Sequence, residues 1–504
     1  MPAALSYPMN MNLYDWGYKA EPESTLNGRR LACPRGKLIG GSSSINGMIY
    51  VRGNPADFDF WDGSGASGWS FADVLPYFIK QENVHSIESN WRGSDGPLHV
   101  TRGKRENPLH NVFVEASKEA GYMFTDDYNG YQQEGFGAAE MNVWKGRRWS
   151  TANAYLRPAL KNRNLTLIKN ALVDKIIFSD RTAKGIKYYH NGKYKTLYAS
   201  KEIICSAGSI NSPQILQRSG VGPYKILKKN DLDVLIDKPG VGENLQDHLE
   251  VYFQVESKEP ISLYKYLNPL SKAFIGLQWL LFKNGLGSTN HFETLGFIRS
   301  HNSIFYPDIQ YHLLPIAINY NGSSSLKGHG FQMHVGPMRS KSRGWVRIKG
   351  KDPTISPEIK FNYMSHPNDW EDFRRCIKIT RNILNQPSFS SLAGLAINPN
   401  DKITTDQEID EFIKENVESA YHPCGTMKMG DKNDPMAVVD SECRIIGLDN
   451  IRVVDSSVFP RITNGNTNAP SVMVGEKISD SILGKSPLPK LNLTPYKYKT
   501  EEKI

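Results

Sequence analysis

No run of about 18 apolar residues occurs in the 504-residue chain, so no transmembrane segment is predicted. The nearest approach, Ala273 to Phe282, is about half that length, contains Gln278 and reads as a buried helix. The first residues lack a basic segment leading into an apolar run, so no signal peptide is predicted. Cysteine is scarce: the five residues 33, 205, 376, 424 and 443 are far apart with no C-x-x-C, which implies neither a metal site nor a disulfide scaffold. Repeats, low-complexity tracts and blocks of one charge are also missing. The net charge of +9 is scattered, reads as a solvated surface and predicts no nucleic-acid partner. Two sequons, at Asn164 and Asn321, are near chance for this length and carry no weight. A dinucleotide fingerprint in its proper setting is absent as well. Gly63-Ser64-Gly65-Ala66-Ser67-Gly68 matches the string, but Trp61-Asp62 before it is no buried strand and Trp69-Ser70 after it no helix start.

What is present describes a packed protein of two domains or one large composite, with 39% hydrophobic residues, 24 Tyr and 20 Phe. Residues 54–146 read as loop-rich. Alternation over 165–178 predicts a strand pair, and Asn191-Gly192 suits a type I′ hairpin turn. Ile203 to Cys205 reads as a buried strand, followed by a helix from Ser212-Pro213 to Gly220. Trp345 to Ile348 reads as a strand and Phe373 to Leu384 as a helix. A last helix is predicted from near Pro470 to Gly484, with Asn468 as a cap, and the Pro- and Lys-rich tail after Ser486 reads as frayed.

Three stretches are dense in glycine and small polar residues: Arg35 to Met48, Ser206 to Pro213, and His422 to Thr426 with Asn466 to Pro470. Together they resemble the glucose–methanol–choline (GMC) oxidoreductases, flavoenzymes that oxidise alcohols. The resemblance runs from about Trp16 to Gly484. The Trp16-x-Tyr18-x-x-Glu21-Pro22 entry and the Gly465 to Pro470 ending look most like insect glucose dehydrogenase-type members. The fold implied is α/β, an α+β composite, with an FAD-binding Rossmann-like domain and a substrate domain carrying a mostly antiparallel sheet. On this reading residues 1–250 form the N-terminal part, with FAD-binding segments at 1–53 and 150–250 and the loop-rich insert at 54–149. Residues 251–410 form the substrate domain, 411–484 return to the FAD domain and 485–504 are a tail. In the family the Gly63–Gly68 stretch is a surface loop and the true fingerprint lies upstream of Met1. The chain therefore reads as truncated by a first βαβ unit of about thirty residues.

The segment Tyr421 to Gly430 is similar to the family's H-x-x-G-T-x-x-M-G, which makes His422 the candidate base for the hydroxyl proton. Asn466 stands at the second polar position, where an amide would steady the substrate oxygen. The resemblance places Gly40, Gly41, Ser42, Asn46 and Gly47 against noncovalent FAD, with Asn46 toward the ring. Ile45 stands where some relatives tether flavin through a His. Val173 is matched to an adenine contact and Asp455 to the cofactor chain. Thr467 and Asn468 are matched to the helix N-terminus facing the flavin. By residue chemistry alone, His422 also suits a structural hydrogen bond, Asn466 a turn and Asp455 a strand-end cap. Val241 to His248 reads as structural, with His248 a buried hydrogen-bonder. The implied reaction oxidises a primary or secondary alcohol, a sugar included, with hydride to flavin N5 and electrons to a quinone-type acceptor. The alternative is a flavin-free binding protein on the same scaffold. Localisation stays open, and is extracellular if the protein follows its relatives.

Overall fold

The computed structural model describes residues 1–9, 11–319 and 323–498; the sequon at Asn321 lies outside them. The backbone of the architecture is an antiparallel sheet whose order is Ala393–Asn398, Leu249–Ser257, Gly330–Pro337, Ile309–Leu314, Thr294–Ile298 and Gly135–Ala138. Glu418–Ser419 adds a short strand beside Leu249. Side chains on a strand alternate between faces, and here the two faces have different tasks. Odd-numbered Val251, Phe253, Tyr311, Leu313, Met333 and Val335 pack into a core with the Pro108–Glu119, Pro367–Leu384 and Asp406–Asn416 helices. Even-numbered Glu250, Tyr252, Gln310, His312, Gln332 and His334 face the main cavity. The last strand of this sheet, Gly135–Ala138, comes from the 54–149 segment, well before the others in sequence.

The second core gathers Phe58, Trp61, Trp69, Phe78, Leu216, Val453 and Val474. It lies beneath Ile203–Cys205 and Ile451–Val453, which pair in parallel. The Gly208–Arg218 helix starts four residues earlier than predicted. Pro213, expected at its first turn, sits inside it. Proline removes the bond to the carbonyl four residues back, and that Ser209 carbonyl instead accepts Thr426 Oγ1 at 2.6 Å. Among the described residues no strand–Gly-x-Gly-x-x-Gly–helix unit occurs; Gly63 to Gly68 turn between the Pro55–Gly63 and Phe71–Gln81 helices.

Several expectations give way. The 54–149 segment is helical over Pro55–Gly63, Phe71–Gln81 and Pro108–Glu119, not loop-rich. Among the described residues, 165–170 join no strand; the strand starts at Ala171 and its hairpin partners turn at Asn191 (φ 50°) and Gly192 (φ 78°), as the Asn-Gly signal requires. The Gly63–Gly68 turn is not wholly superficial, since Ala66 is fully buried. Pro269–Phe282 is a helix but an exposed one: Leu270, Phe274, Leu277 and Leu281, spaced to fall on one face, point outward. The tail is docked along 488–498, where Leu491 N bonds Ala72 O and Tyr496 N bonds Tyr131 O. The last helix is Asn468–Ile482, so Asn468 is its first residue and Thr467 occupies the cap position.

Candidate active site

One cavity of about 1510 Å³ lies between the even-numbered face of the large sheet and the glycine-rich loops. Small-ligand sites span roughly 300–1,000 Å³, so there is room for a large cofactor together with a substrate. Of the residues singled out in the sequence, His422, Asn466, Gly40, Gly41, Ser42, Asn46, Gly47, Asp455, Thr467 and Asn468 all line it. Val173 does not: it lies on Ala171–Ser179, and its carbonyl faces Arg218 Nη2 at 3.5 Å.

His422 is carried on a loop whose preceding residue, Tyr421, has φ 63°, a conformation that a bulky side chain adopts only when held. Three contacts hold it. Tyr421 N donates to Ser419 Oγ at 2.9 Å, Arg35 Nη2 donates to Tyr421 O at 2.7 Å, and His422 N donates to Asp247 Oδ1 at 2.7 Å. Asp247 is buried and also accepts His248 N and the Tyr363 hydroxyl.

The side chains then form a hydrogen-bonded chain in which the proton positions follow from one end. His248 Nε2 faces the Met338 carbonyl at 3.0 Å, which only accepts, so Nε2 carries the hydrogen. Burial lowers the His248 pKa to about 4, so the ring is neutral and its Nδ1 is an acceptor. His422 Nδ1, 3.1 Å away, must donate to it. This leaves His422 Nε2 unprotonated, facing Asn466 Nδ2 at 3.0 Å. The Asn466 carbonyl end in turn accepts Gln310 Nε2 at 3.2 Å, which fixes the amide orientation. The other hydrogen of that Gln310 amide points at His312 Nε2, also 3.2 Å away. His422 is held neutral: burial is the main cause, with His248, Arg35 and His312 adding, and together they push its pKa well below 6.5. The result is a basic nitrogen and an amide donor converging on one point of the cavity. His248 is the buried hydrogen-bonder expected, but its partner is His422 itself, which the sequence did not indicate.

The other end fits a flavin dinucleotide. Cβ atoms added at Gly41 or Gly47 would stand in open space, so the chain presents bare backbone there. The Asn468–Ile482 helix begins at the cavity wall with no side chain capping it, which leaves its first amides for an anionic or acceptor-rich ligand. Asp455 lines the cavity, but its carboxylate is taken up by protein donors: Gly208 N and Ser457 N at 2.8 Å each, and the Ser212 hydroxyl. Its observed task is therefore the cap.

A third group was not singled out in the sequence. Glu250 accepts from His334 Nδ1 at 3.0 Å, His334 stacks on Tyr252 with centroids 4.1 Å apart, and Phe292 meets His334 edge-on at 5.3 Å. Burial alone would raise the Glu250 pKa, but His334, with His312 and Tyr252, offsets this and holds it below the ordinary carboxylate value. Asp455 is capped, and Glu476 is bonded by Tyr155 and Lys80. Among the described carboxylates that line the cavity, Glu250 is the one carried on the large sheet, opposite the glycine-rich loops. The available signal was a polar residue at every second position of otherwise apolar strands.

The chain matches the GMC oxidoreductase family over residues 18–250 and 340–475. It is 57% identical over 496 residues to the oxygen-dependent choline dehydrogenase of Brucella ovis, covering 98% of this chain and 90% of that one. The same shares are covered at 55% identity by the oxygen-dependent choline dehydrogenase of Sinorhizobium fredii. Among solved structures, pyridoxine 4-oxidase from Mesorbium loti has a TM-score of 0.86 at 28% identity, covering 96% of this chain and 91% of that one. These relatives replace the likeness to insect glucose dehydrogenases drawn from the sequence. The family match opens at residue 18, and the flavin-free alternative finds no support. The chain belongs to the GMC oxidoreductase family, as an FAD-dependent enzyme that acts on the CH–OH group of its donors.

Proposed function

We propose that the alcohol is choline, oxidised at its CH–OH group to the aldehyde. The observation that carries this reading is the Glu250, Tyr252 and Phe292 wall: a half-buried carboxylate beside aromatic rings suits a quaternary ammonium, which forms no hydrogen bonds of its own. A neutral sugar could donate hydroxyl hydrogens to that carboxylate but would bring no positive charge to pair with it. The name of the relatives points the same way. His422 Nε2 takes the hydroxyl proton, and the resulting imidazolium keeps its Nδ1–H on His248. Asn466 Nδ2 donates to the oxygen as charge develops there, its orientation already set by Gln310. Gly40, Gly41, Ser42, Asn46, Gly47, Thr467 and Asn468 would hold the FAD, whose ring would supply the hydride acceptor. The relatives are named oxygen-dependent, which favours dioxygen over the quinone-type acceptor expected from the sequence.

The test compares choline with 3,3-dimethylbutan-1-ol, in which carbon replaces the nitrogen. The wild type should prefer choline in kcat/KM by about tenfold to a hundredfold, since each 1.4 kcal/mol is a factor of ten. Glu250→Gln should remove most of that preference. Equal use of both alcohols by the wild type would sink the choline reading while leaving the enzyme class untouched.

A further inference from the structure

Arg148 stands out among the cations of the molecule. It follows the hairpin strand Val143–Trp144 on Arg147–Arg148 and turns its guanidinium under the flavin-contacting loop. Its Nη1 donates to the Asn46 carbonyl at 2.6 Å, to Asn46 Oδ1 at 2.8 Å and to the Ser43 carbonyl at 3.3 Å. Among the described residues no carboxylate lies within ion-pair distance of it, whereas the buried Arg52 and Arg92 are paired with Glu82. Burial lowers its pKa to about 10, so it keeps its charge at neutral pH. Even a partly buried cation without an acid is costly and persists where something offsets it.

The second observation concerns Asn46. Its Oδ1 already accepts Arg148 Nη1 and the Met48 backbone N–H at 3.0 Å, which uses both lone pairs of that oxygen. The amide therefore turns its NH2 away from the protein donors, on a residue that lines the cavity. The backbone beneath is pinned from the other side, because Asn290 Nδ2 donates to the Gly47 carbonyl at 2.7 Å. The loop cannot rotate Asn46 without breaking these bonds.

We propose that Arg148 is a positioning residue for the cofactor: it fixes Asn46 with its NH2 toward the flavin ring and sets how readily that ring accepts an electron pair. An N–H donor aimed at an acceptor-rich ring stabilises the reduced, electron-rich form more than the oxidised one, and the unpaired guanidinium behind it acts in the same direction. The proposal rests on FAD residence in the cavity and not on choline as substrate.

The experiment needs no alcohol. Sulfite adds reversibly to flavin N5, and its dissociation constant, read from bleaching of the visible band of the FAD-loaded protein, reports the electron affinity of the ring. Arg148→Gln is expected to weaken sulfite at least tenfold, equivalent to about 30 mV for a two-electron couple. Asn46→Ala should act in the same direction, and the double variant should fall short of the product of the two single effects, as groups acting through one contact do. Arg147→Gln, on the exposed side of the same hairpin, should stay within twofold of wild type. Where Arg148→Gln loses FAD, Arg148→Lys decides, since it keeps the charge but not the planar fork; it too should weaken sulfite. An unchanged sulfite constant in the FAD-retaining variant, or an equal effect from Arg147→Gln, overturns the proposal. A wild-type protein with no flavin band would instead strike at FAD residence itself.

Discussion

His248 and His422 meet Nδ1 to Nδ1 at 3.1 Å with their rings at 83°, a contact that allows one hydrogen between them. Because the Met338 carbonyl claims the far hydrogen of His248, that shared hydrogen belongs to His422, and its Nε2 is free to act as base. Replacing His248 by Ala removes the acceptor and frees the tautomer. The expected result is a loss of about 10²-fold or more in kcat, the scale on which general-base and tautomer effects are measured. FAD content should be unchanged. A variant with wild-type kcat would show that the tautomer of His422 is set elsewhere.

The acid limb of kcat/KM should lie well below pH 6.5. Burial and the neighbouring His248, Arg35 and His312 disfavour the protonated His422, so the competent neutral form survives to lower pH than a free imidazole would. Between pH 8 and 6.5 the profile from this group should therefore be flat. A limb centred at or above 6.5 that disappears in His422→Ala would contradict the observed environment.

The glycine loops and the base loop were legible because their chemistry is written in contiguous residues: Gly40 to Gly47, His422 to Gly430, Asn466 to Pro470. The wall opposite was not. Glu250, His312 and His334 come from three strands that meet only through sheet pairing, His312 opposite His334 and His334 opposite Tyr252. The start of the Gly208–Arg218 helix was misplaced for a related reason. Pro213 looks like a first-turn residue until Thr426, 217 residues from Ser209, takes up the orphaned carbonyl. Whether the apolar run at 273–282 would be covered also depended on neighbours, and composition alone could not show that Leu277 and Leu281 face outward.

Gln310 offers a cleaner test of Asn466 than replacing Asn466 itself. Gln310→Met keeps the length but removes the donor that holds the Asn466 carbonyl, so the amide is free to flip and present oxygen to His422. A fall in kcat of about tenfold with little change in FAD content is expected, on the scale of one misdirected hydrogen bond. Asn466→Asp should be worse, since it replaces the donor by an acceptor. If Gln310→Met turns over normally, the amide orientation does not matter to the reaction.

Where a tethered relative would have a His, this chain has Ile45, which carries no nucleophile. Heat or acid precipitation of the FAD-loaded protein should therefore leave the yellow colour in the supernatant. Colour retained in the washed pellet would mean a covalent link through another residue.

Stability should fall on mild acidification, before the carboxylates of an ordinary protein titrate. His110, His248 and His312 are buried, and burial lowers their pKa values to about 3, 4 and 4. Unfolded histidine has a pKa near 6.5, so below that pH the unfolded chain binds protons that the folded chain refuses. The stabilising contribution of neutral burial is thus complete above pH 6.5 and shrinks as pH falls toward 4. Linkage puts the loss at about 2 kcal/mol for each of the three between pH 7 and pH 5. Urea midpoints measured at those two pH values should differ accordingly, and His110→Gln, far from the base in sequence and outside the cavity lining, should reduce the difference without touching the pH dependence of kcat/KM. Equal midpoints at pH 7 and pH 5 would mean that these rings are protonated in the folded protein, and the neutral hydrogen-bonded chain from Met338 to Gln310 would have to be redrawn.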